Sequence, residues 1–306
     1  MLEGVYPIVA TPFRDDGSPD LADLARLVDF IVGAGVDGIV FPGVASEFET
    51  LAPDERRTLV EAVATANDGR VPFVVGVSSA DAATSEALAK HAKTVGAAAV
   101  MAMLPPSLKD SPDAQLDYYR RIAAVGVPII LQNAPPPAGC GLAPERAAEI
   151  VAAVPGVAYV KEETLPCGQR ITKLLMLAPN GLAGVFGGAG GRYITDELVR
   201  GACGTMPACE LSDLHVKQFA AHRAGDVASV RRWFDRMLPL LNFQAVFRMA
   251  MTKEVLMRRG VIRATHVRAA GPRMDAGDLR ELDAIMAGLQ DLLPVAPRGH
   301  TPQDSG

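Results

Sequence analysis

The stretch Val157-Ala-Tyr-Val-Lys161-Glu-Glu-Thr164 is a short apolar run that ends abruptly in a lysine. It follows the turn signal Pro155-Gly156, and its valines and tyrosine are typical of a buried β-strand. An ammonium group at such a place is costly to bury unless it is paired or loses its proton. Lys161 is therefore either a strand-closing surface residue paired with Glu162 or Glu163, or a desolvated, nucleophilic amine.

Strand-like and helix-like stretches alternate on both sides of this run. Seven further strands are predicted at residues 5–11, 38–41, 71–77, 97–104, 127–132, 182–186 and 204–207. Helices are predicted between them at 21–32, 53–67, from Ser79 or Asp81 to 95, and at 112–124, 144–154, 168–177 and 193–201. Apolar strands separated by helices indicate a parallel sheet buried on both faces. Eight such units predict an α/β fold, a (β/α)₈ barrel. The alternative is an open doubly wound sheet, but no GxGxxG follows the first strand.

The chain of 306 residues divides into three predicted segments. Residues 1–224 hold the barrel, and residues 225–295 form a helical extension with helical periodicity at 227–241, 243–259 and 275–293. The tail, residues 296–306, is polar and is predicted to be disordered.

The composition of the chain argues against several classes of function. With 49% hydrophobic residues, 21% charged residues and a net charge of −5, the chain shows no dominant basic patch, so no nucleic-acid partner is expected. No apolar run reaches the roughly 18 residues of a membrane helix, and no signal-peptide pattern is found. Four cysteines match no zinc spacing and suit a reducing cytoplasm. The five histidines lie outside the predicted strand ends. A cytoplasmic protein without a metal or cofactor is expected.

Catalytic groups of a barrel lie where its strands end at the C-terminal face. Among those ends only Lys161 offers an amine, and period-two alternation places Tyr159 and Glu163 on the same strand face. After strand two, Val44 and Ala45 could present backbone N–H groups to a carboxylate, with the Ser46 hydroxyl as a further donor. An ordinary βα turn is the alternative there.

The glycine-rich run from Gly187 to Arg192 lacks the Lys-Ser/Thr of a phosphate-binding loop. Close approach of backbone to substrate, or plain flexibility, is favoured there. Gly187, together with Met206 at the end of strand eight, is predicted to contact the substrate.

Three motifs resemble those of the dihydrodipicolinate synthase / N-acetylneuraminate lyase family. They are Gly-x-x-x-Glu (Gly43 to Glu47), Asn-x-Pro (Asn133 to Pro135) and Val-Lys-Glu (Val160 to Glu162), and the likeness begins at Val5-Tyr-Pro-Ile-Val-Ala-Thr-Pro-Phe13. The resemblance implies a barrel with a helical C-terminal extension, so a homo-oligomer, tetramer or dimer, is expected. It also implies a Schiff base between Lys161 and the keto carbon of pyruvate or a related 2-keto acid.

Departures from the family pattern narrow this expectation. The usual Thr-Thr-Gly before the glutamate is Val44-Ala45-Ser46 here, and Gln132 stands where synthases have a tyrosine. The family's arginine and its second tyrosine fall at Pro137 and Pro106. The hydroxyl relay of the synthase is therefore missing, which argues against dihydrodipicolinate synthesis in the strict sense.

The branch that dehydrates 2-keto-3-deoxy sugar acids, such as L-2-keto-3-deoxyarabonate, is more similar. It shares Ser-Glu after strand two, a Gln ahead of Ala-Pro, Lys-x-Glu-Thr from Lys161 to Thr164 and Leu-Pro-Leu-x-Asn at 238–242. The resemblance implies a lyase, a dehydratase or an aldolase, that acts through a Lys161 imine.

Within that mechanism, Ser46 or Thr164 would relay protons and Gln132 would orient substrate hydroxyls. Glu163 is a candidate base if it faces inward. Two alternatives stay open: a dihydrodipicolinate synthase with unusual proton donors, and a catalytically silent pyruvate-binding barrel, against which the retained Lys161 argues.

Overall fold

Eight parallel strands alternate with helices in the computed structural model, which describes residues 1–177 and 181–293. The strands are β1 (Gly4–Val5), β2 (Ile39–Phe41), β3 (Phe73–Gly76), β4 (Ala99–Met103), β5 (Ile129–Asn133), β6 (Val157–Glu162), β7 (Gly184–Gly187) and β8 (Gly204–Thr205). Consecutive strands from β2 to β8 pair in order, and β8 pairs with β1. Ile8 closes the remaining gap, because it bridges to both Val40 and Ala208. The prediction of a (β/α)₈ barrel is confirmed.

Helices cover the outside of the barrel and continue into a C-terminal extension. The barrel helices are α1 (Leu21–Gly33), α2 (Pro53–Asn67), α3 (Ala82–Thr94), α4 (Pro112–Ala123), α5 (Pro144–Ala153), α6 (Cys167–Leu177), α7 (Ile194–Val199) and α8 (Ser212–Arg223). The extension holds α9 (Val227–Phe247), α10 (Met249–Arg258) and α11 (Ala276–Ala287). Of the two predicted caps of α3, Asp81 is the one found, since its carboxylate accepts from the Thr84 N–H.

The structure differs from the sequence-based prediction at the first and last strands. The predicted strands 5–11 and 204–207 shorten to two residues each. Pro7 and Pro207 lie within the predicted runs, and a proline has no N–H to donate to the ladder.

The extension also departs from its predicted bounds. The predicted break near residue 242 is absent, because α9 continues to Phe247 and the chain turns at Arg248 (φ 49°, ψ −121°). The third helix ends at Ala287, before the predicted residue 293. The tail at 296–306 lies outside the described residues, and the division of the chain at residue 224 stays a prediction.

The barrel interior is filled by large apolar side chains. They include Tyr6, Val74, Met101, Tyr159 and Phe186, and the Tyr159 and Phe186 rings lie 5.8 Å apart. Tyr159 therefore lies in the interior layer below Lys161, as period-two alternation predicts. A second cluster packs between the strands and the outer helices, and a third joins the extension helices. Among the described residues, no helix has the length and apolar character needed to cross a lipid bilayer.

Candidate active site

Lys161 lies near the C-terminal end of β6 and lines a cavity of about 320 Å³ at the mouth of the barrel. Its side chain is 4% exposed, so the alternative of a strand-closing surface lysine does not hold. Glu162 points the other way, where it lies 3.1 Å from the Arg170 Nε and accepts a hydrogen bond from Asn133. This alternation turns Lys161 and Glu163 together toward the cavity.

The carboxylate of Glu163 is the direct partner of Lys161. Its Oε1 lies 3.1 Å from the Lys161 Nζ and accepts from the Ala189 N–H at 3.1 Å. Its Oε2 accepts from the Gln132 amide at 2.7 Å. Burial alone would raise the pKa of Glu163, but the Lys161 charge and these donors outweigh burial, and the pKa lies below its ordinary value. Glu163 therefore faces inward as an anion that balances the lysine.

Gly188, and not the predicted Gly187, forms the wall behind this ion pair. A Cβ on Gly188 would lie 2.6 Å from the Glu163 Oε1 and 2.8 Å from the Lys161 Cε. A Cβ on Gly187 would instead overlap the carboxyl group of Glu197, on the outer side of the strand. The backbone that approaches Lys161 is thus that of Gly188, and Gly187 lies outside the cavity lining.

The turn after β2 contributes backbone to the cavity. Val44 and Ala45 line it as the first residues of a 3₁₀ turn that ends at Ser46, and Met206 lines it from the end of β8. The N–H groups at the start of such a turn have no partner within it. Val44 and Ala45 therefore lie at the cavity, and their binding of a carboxylate stays a prediction.

The two hydroxyl groups predicted to relay protons lie outside the cavity lining. The Ser46 hydroxyl is fully buried, donates to the Val9 carbonyl at 2.5 Å and accepts from the Gly43 N–H at 2.9 Å. The Thr164 hydroxyl donates to the Asn133 carbonyl at 3.3 Å. Both hydroxyls hydrogen-bond to backbone, so the described structure brings Lys161 and Glu163 together without them. Gln132 also lies outside the lining and contacts the site through Glu163.

Three polar residues of the cavity were not predicted from the sequence. Arg192 follows β7, and Gln244 and Arg248 lie at the end of α9. The Arg192 guanidinium donates to the Gln244 Oε1 at 2.9 Å. The glycine run ending at Arg192 was a local signal for the first of them. No local pattern placed the end of α9 against the barrel mouth.

A buried ion pair beside the cavity was missed as well. Lys253 of α10 is fully buried, and its Nζ lies 2.5 Å from the Glu47 Oε1 and donates to the His266 carbonyl at 2.7 Å. The Glu47 Oε2 accepts from the backbone N–H groups of Arg268 and Ala269 at 2.8 and 2.7 Å. Burial lowers the pKa of Lys253, although Glu47 opposes this. Glu47 directly follows the Val44–Ser46 turn, so the extension fixes that turn.

Comparisons with known proteins agree with this geometry. The model of the dihydrodipicolinate synthetase family matches residues 1–286. An L-2-keto-3-deoxyarabonate dehydratase of Azospirillum brasilense is 32% identical over 299 residues, 95% of each chain. A probable 2-dehydro-3-deoxy-D-pentonate aldolase of Escherichia coli K12 is 30% identical over 78% of this chain and 80% of its own. A dihydrodipicolinate synthase structure from Rhodopseudomonas palustris superposes with a TM-score of 0.87 at 27% identity, covering 94% of this chain and 97% of that one.

The family match spans the barrel and most of the extension, which are also the parts that supply the cavity around Lys161. The sequence match and the fold match thus identify the same group of proteins. The chain belongs to the dihydrodipicolinate synthetase family, and it is a lyase.

Proposed function

We propose that the protein is a Schiff-base lyase that dehydrates a 2-keto-3-deoxy sugar acid, with Lys161 as its nucleophile. The observation that carries this proposal is the buried Lys161–Glu163 pair, bound by Gln132 where a synthase would need a tyrosine hydroxyl. Similarity to the Azospirillum dehydratase over 95% of each chain supports the substrate class.

The first step is attack of the Lys161 Nζ, as the free amine, on the C2 carbonyl of the substrate. The proton that the ammonium lost and one proton of the amine go to the carbonyl oxygen, which leaves as water, and the nitrogen becomes a protonated imine. The imine keeps the positive charge that the ammonium carried. Glu163, whose pKa is below its ordinary value, therefore stays ionised and stabilises the cation before and after the bond forms.

The imine then serves as an electron sink. Loss of a proton from C3 gives an enamine, whose electrons expel the C4 hydroxyl as water once that group is protonated. Hydrolysis of the conjugated imine returns Lys161 and leaves an unsaturated 2-keto acid. In a pentonate a proton shift from C5 to C3 then gives an enol, which becomes the semialdehyde. Glu163 is the nearest carboxylate for the proton at C3, and Gln132 can orient hydroxyls but cannot act as a base.

The substrate carboxylate is assigned to the backbone N–H groups of Val44 and Ala45. These groups lie at the start of a turn, where donors lack partners in the turn itself. Met206, which also lines the cavity, would contact the apolar side of the substrate.

An aldolase is the second candidate, supported by the similarity to the probable pentonate aldolase. It shares the imine, but the C3–C4 bond breaks instead of the C4–O bond. Incubation with a 2-keto-3-deoxypentonate separates the two, since a dehydratase yields a semialdehyde and an aldolase yields pyruvate with an aldehyde. A dihydrodipicolinate synthase would instead consume pyruvate with aspartate semialdehyde.

Borohydride reduction in the presence of pyruvate tests the Schiff base directly. The expected product is one stable adduct on the peptide that contains Lys161, absent from the Lys161→Arg variant. Peptide mapping also separates Lys161 from Lys253, the other buried lysine of the cavity region. No adduct, or an adduct on Lys253, would overturn the assignment.

The protein is further proposed to be a cytoplasmic homo-oligomer, a tetramer or a dimer. Large apolar side chains stand exposed on neighbouring helices, with Met176 of α6 74% exposed and Val199 of α7 81% exposed. The four cysteines are free thiols, which suits a reducing compartment. Light scattering after size exclusion would return the monomer mass if the oligomer does not form.

A further inference from the structure

The residues that line the cavity around Lys161 carry more positive than negative charge. Its lining includes the cations Lys161, Arg192 and Arg248, while Glu163 is the one carboxylate among the described lining residues. Glu163 balances Lys161, and this balance persists in the imine because the nitrogen stays cationic. One substrate carboxylate at Val44 and Ala45 then leaves an excess of one positive charge.

The excess charge lies on the side of the cavity formed by the β7–α7 loop and the end of α9. Arg192 is half-buried, and its Nη1 donates to the Gln244 Oε1 at 2.9 Å, which leaves its other N–H donors for a ligand. Among the ion pairs of residues 1–177 and 181–293 none includes Arg192 or Arg248, although the charge of Arg192 acts on the pKa of the buried Glu210 carboxylate. Arg248 is exposed at the rim of the cavity.

The backbone on both sides of the arginines is shaped to hold them at the cavity. Gly190 (φ 70°) lets the loop pass close to the Arg192–Gln244 pair, since a Cβ there would lie 3.0 Å from the Arg192 Nη1 and 3.1 Å from the Gln244 Oε1. Arg248 has φ 49° and ψ −121°, which a non-glycine residue rarely adopts. This turn directs α9 and α10 so that Gln244 and Met249 both line the cavity.

We propose that Arg192, Gln244 and Arg248 form a subsite for a second anionic group at the far end of the substrate. This inference rests on the proposed function and narrows it, because the preferred substrates are then 2-keto-3-deoxy acids that end in a carboxylate or a phosphate. Arginine donates planar, paired hydrogen bonds to either anion, and its charge persists across the working pH range.

The test measures borohydride trapping of Lys161 with matched keto acids that differ only at their far end. The probes are 2-oxopentanoate, 2-oxoglutarate and 2-oxo-4-phosphonobutanoate, with pyruvate as the reference. In the wild-type protein, 2-oxoglutarate or the phosphonate is expected to half-saturate at a concentration roughly 10- to 100-fold below that of 2-oxopentanoate. The tighter of the two anionic probes identifies the terminal group as carboxylate or phosphate.

Two variants and one control complete the design. Arg192→Gln and Arg248→Gln should each reduce this preference to less than about threefold while pyruvate is still trapped. Arg231→Gln removes an exposed arginine from the same helix α9, outside the cavity, and should leave the preference intact. Unfolding midpoints show whether each variant is folded. The preference for anionic probes is measured separately in each arginine variant.

The outcomes separate the two proposals. If pyruvate leaves no adduct on wild-type Lys161, the Schiff-base function fails. If pyruvate is trapped but 2-oxopentanoate saturates as readily as both anionic probes, the anion subsite is overturned and the lyase proposal stands. An unchanged preference in both arginine variants would likewise overturn the subsite.

Discussion

Glu47 and Lys253 are separated by 206 residues of sequence, yet their side chains meet at 2.5 Å. The contact joins the loop after β2 to helix α10, and the Lys253 Nζ also lies 4.2 Å from the centre of the Phe13 ring. Because Glu47 directly follows the Val44–Ser46 turn, the pair ties the C-terminal extension to the backbone assigned to the substrate carboxylate.

Replacing Lys253 with methionine should therefore weaken both the fold and the binding of keto acids. The change leaves the buried Glu47 carboxylate without its cation, which is expected to cost about 3–5 kcal/mol of unfolding free energy. Urea unfolding measures the loss, and the pyruvate concentration that half-saturates trapping should rise. The double variant Glu47→Gln/Lys253→Met is the matched control and should recover part of the stability. Equal losses in the single and double variants would contradict this account.

Gly188→Ala should suppress imine formation, because the new methyl group would press on the Glu163 carboxylate and the Lys161 Cε. The rate of borohydride trapping with pyruvate is expected to fall by at least about tenfold. Gly33→Ala is the control, since a Cβ at this exposed end of α1 meets nothing within 4 Å. Unimpaired trapping in Gly188→Ala would show that the ion pair need not stay in place.

Gln132→Leu should raise the pKa of Glu163, because the variant removes the amide that donates to the Glu163 Oε2 at 2.7 Å. Glu163 would then take up a proton at a higher pH and cease to balance Lys161. The acid limb of the pH profile for trapping should consequently move to higher pH than in the wild-type protein. A limb that stays in place would mean that Glu163 does not control it.

Glu197 should make the wild-type protein less stable as the pH rises. Burial, together with the nearby charge of Glu163, raises the pKa of Glu197 from 4.5 to about 8. The folded state therefore holds a proton that the unfolded state releases above about pH 4.5, so this contribution is complete below that pH and is lost as the pH rises through 8.

The variant Glu197→Gln removes this titration. Its unfolding free energy, relative to wild type, should grow by about 1.4 kcal/mol per pH unit between pH 5 and 8. Asp196→Asn, which changes an exposed carboxylate on the same helix, should show no such slope. Parallel stability curves for Glu197→Gln and wild type would mean that Glu197 is not held protonated.

Local patterns in the sequence were enough to predict the barrel. Strand and helix periodicities are properties of consecutive residues, so they predict the barrel. The run ending at Lys161 left two interpretations open by itself, and its place among eight strand ends together with the family resemblance favoured the nucleophile. The inward direction of Glu163 followed from the same alternation, and the structure confirms it.

Alternation could also have corrected the choice of glycine. Phe186 packs inside the barrel, so the next residue, Gly187, faces outward and Gly188 faces the lysine. The hydroxyl group of Ser46 is a different case. Its position was predictable, but its hydrogen bond to the Val9 carbonyl depends on a residue 37 positions earlier in the chain.

Contacts with the extension could not be predicted, for a physical reason. Lys253 appears in a helical run with nothing to mark it as buried, and only its distant partner makes that burial tolerable. The end of α9 was misplaced, because helical periodicity predicted separate runs at 227–241 and 243–259. The turn at Arg248 has a positive φ, which an arginine in the sequence does not predict.

The junction between α9 and α10 has a consequence for how this enzyme could diverge. It supplies Gln244, Arg248 and Met249 to one wall of the cavity, whereas Lys161 and Glu163 come from a barrel strand. The reacting groups and part of the proposed substrate-binding wall thus lie on different segments of the chain. If the anion subsite holds, substitutions within residues 244–249 would change the substrate preference without changing the nucleophile, so new activities could arise without altering the reactive centre.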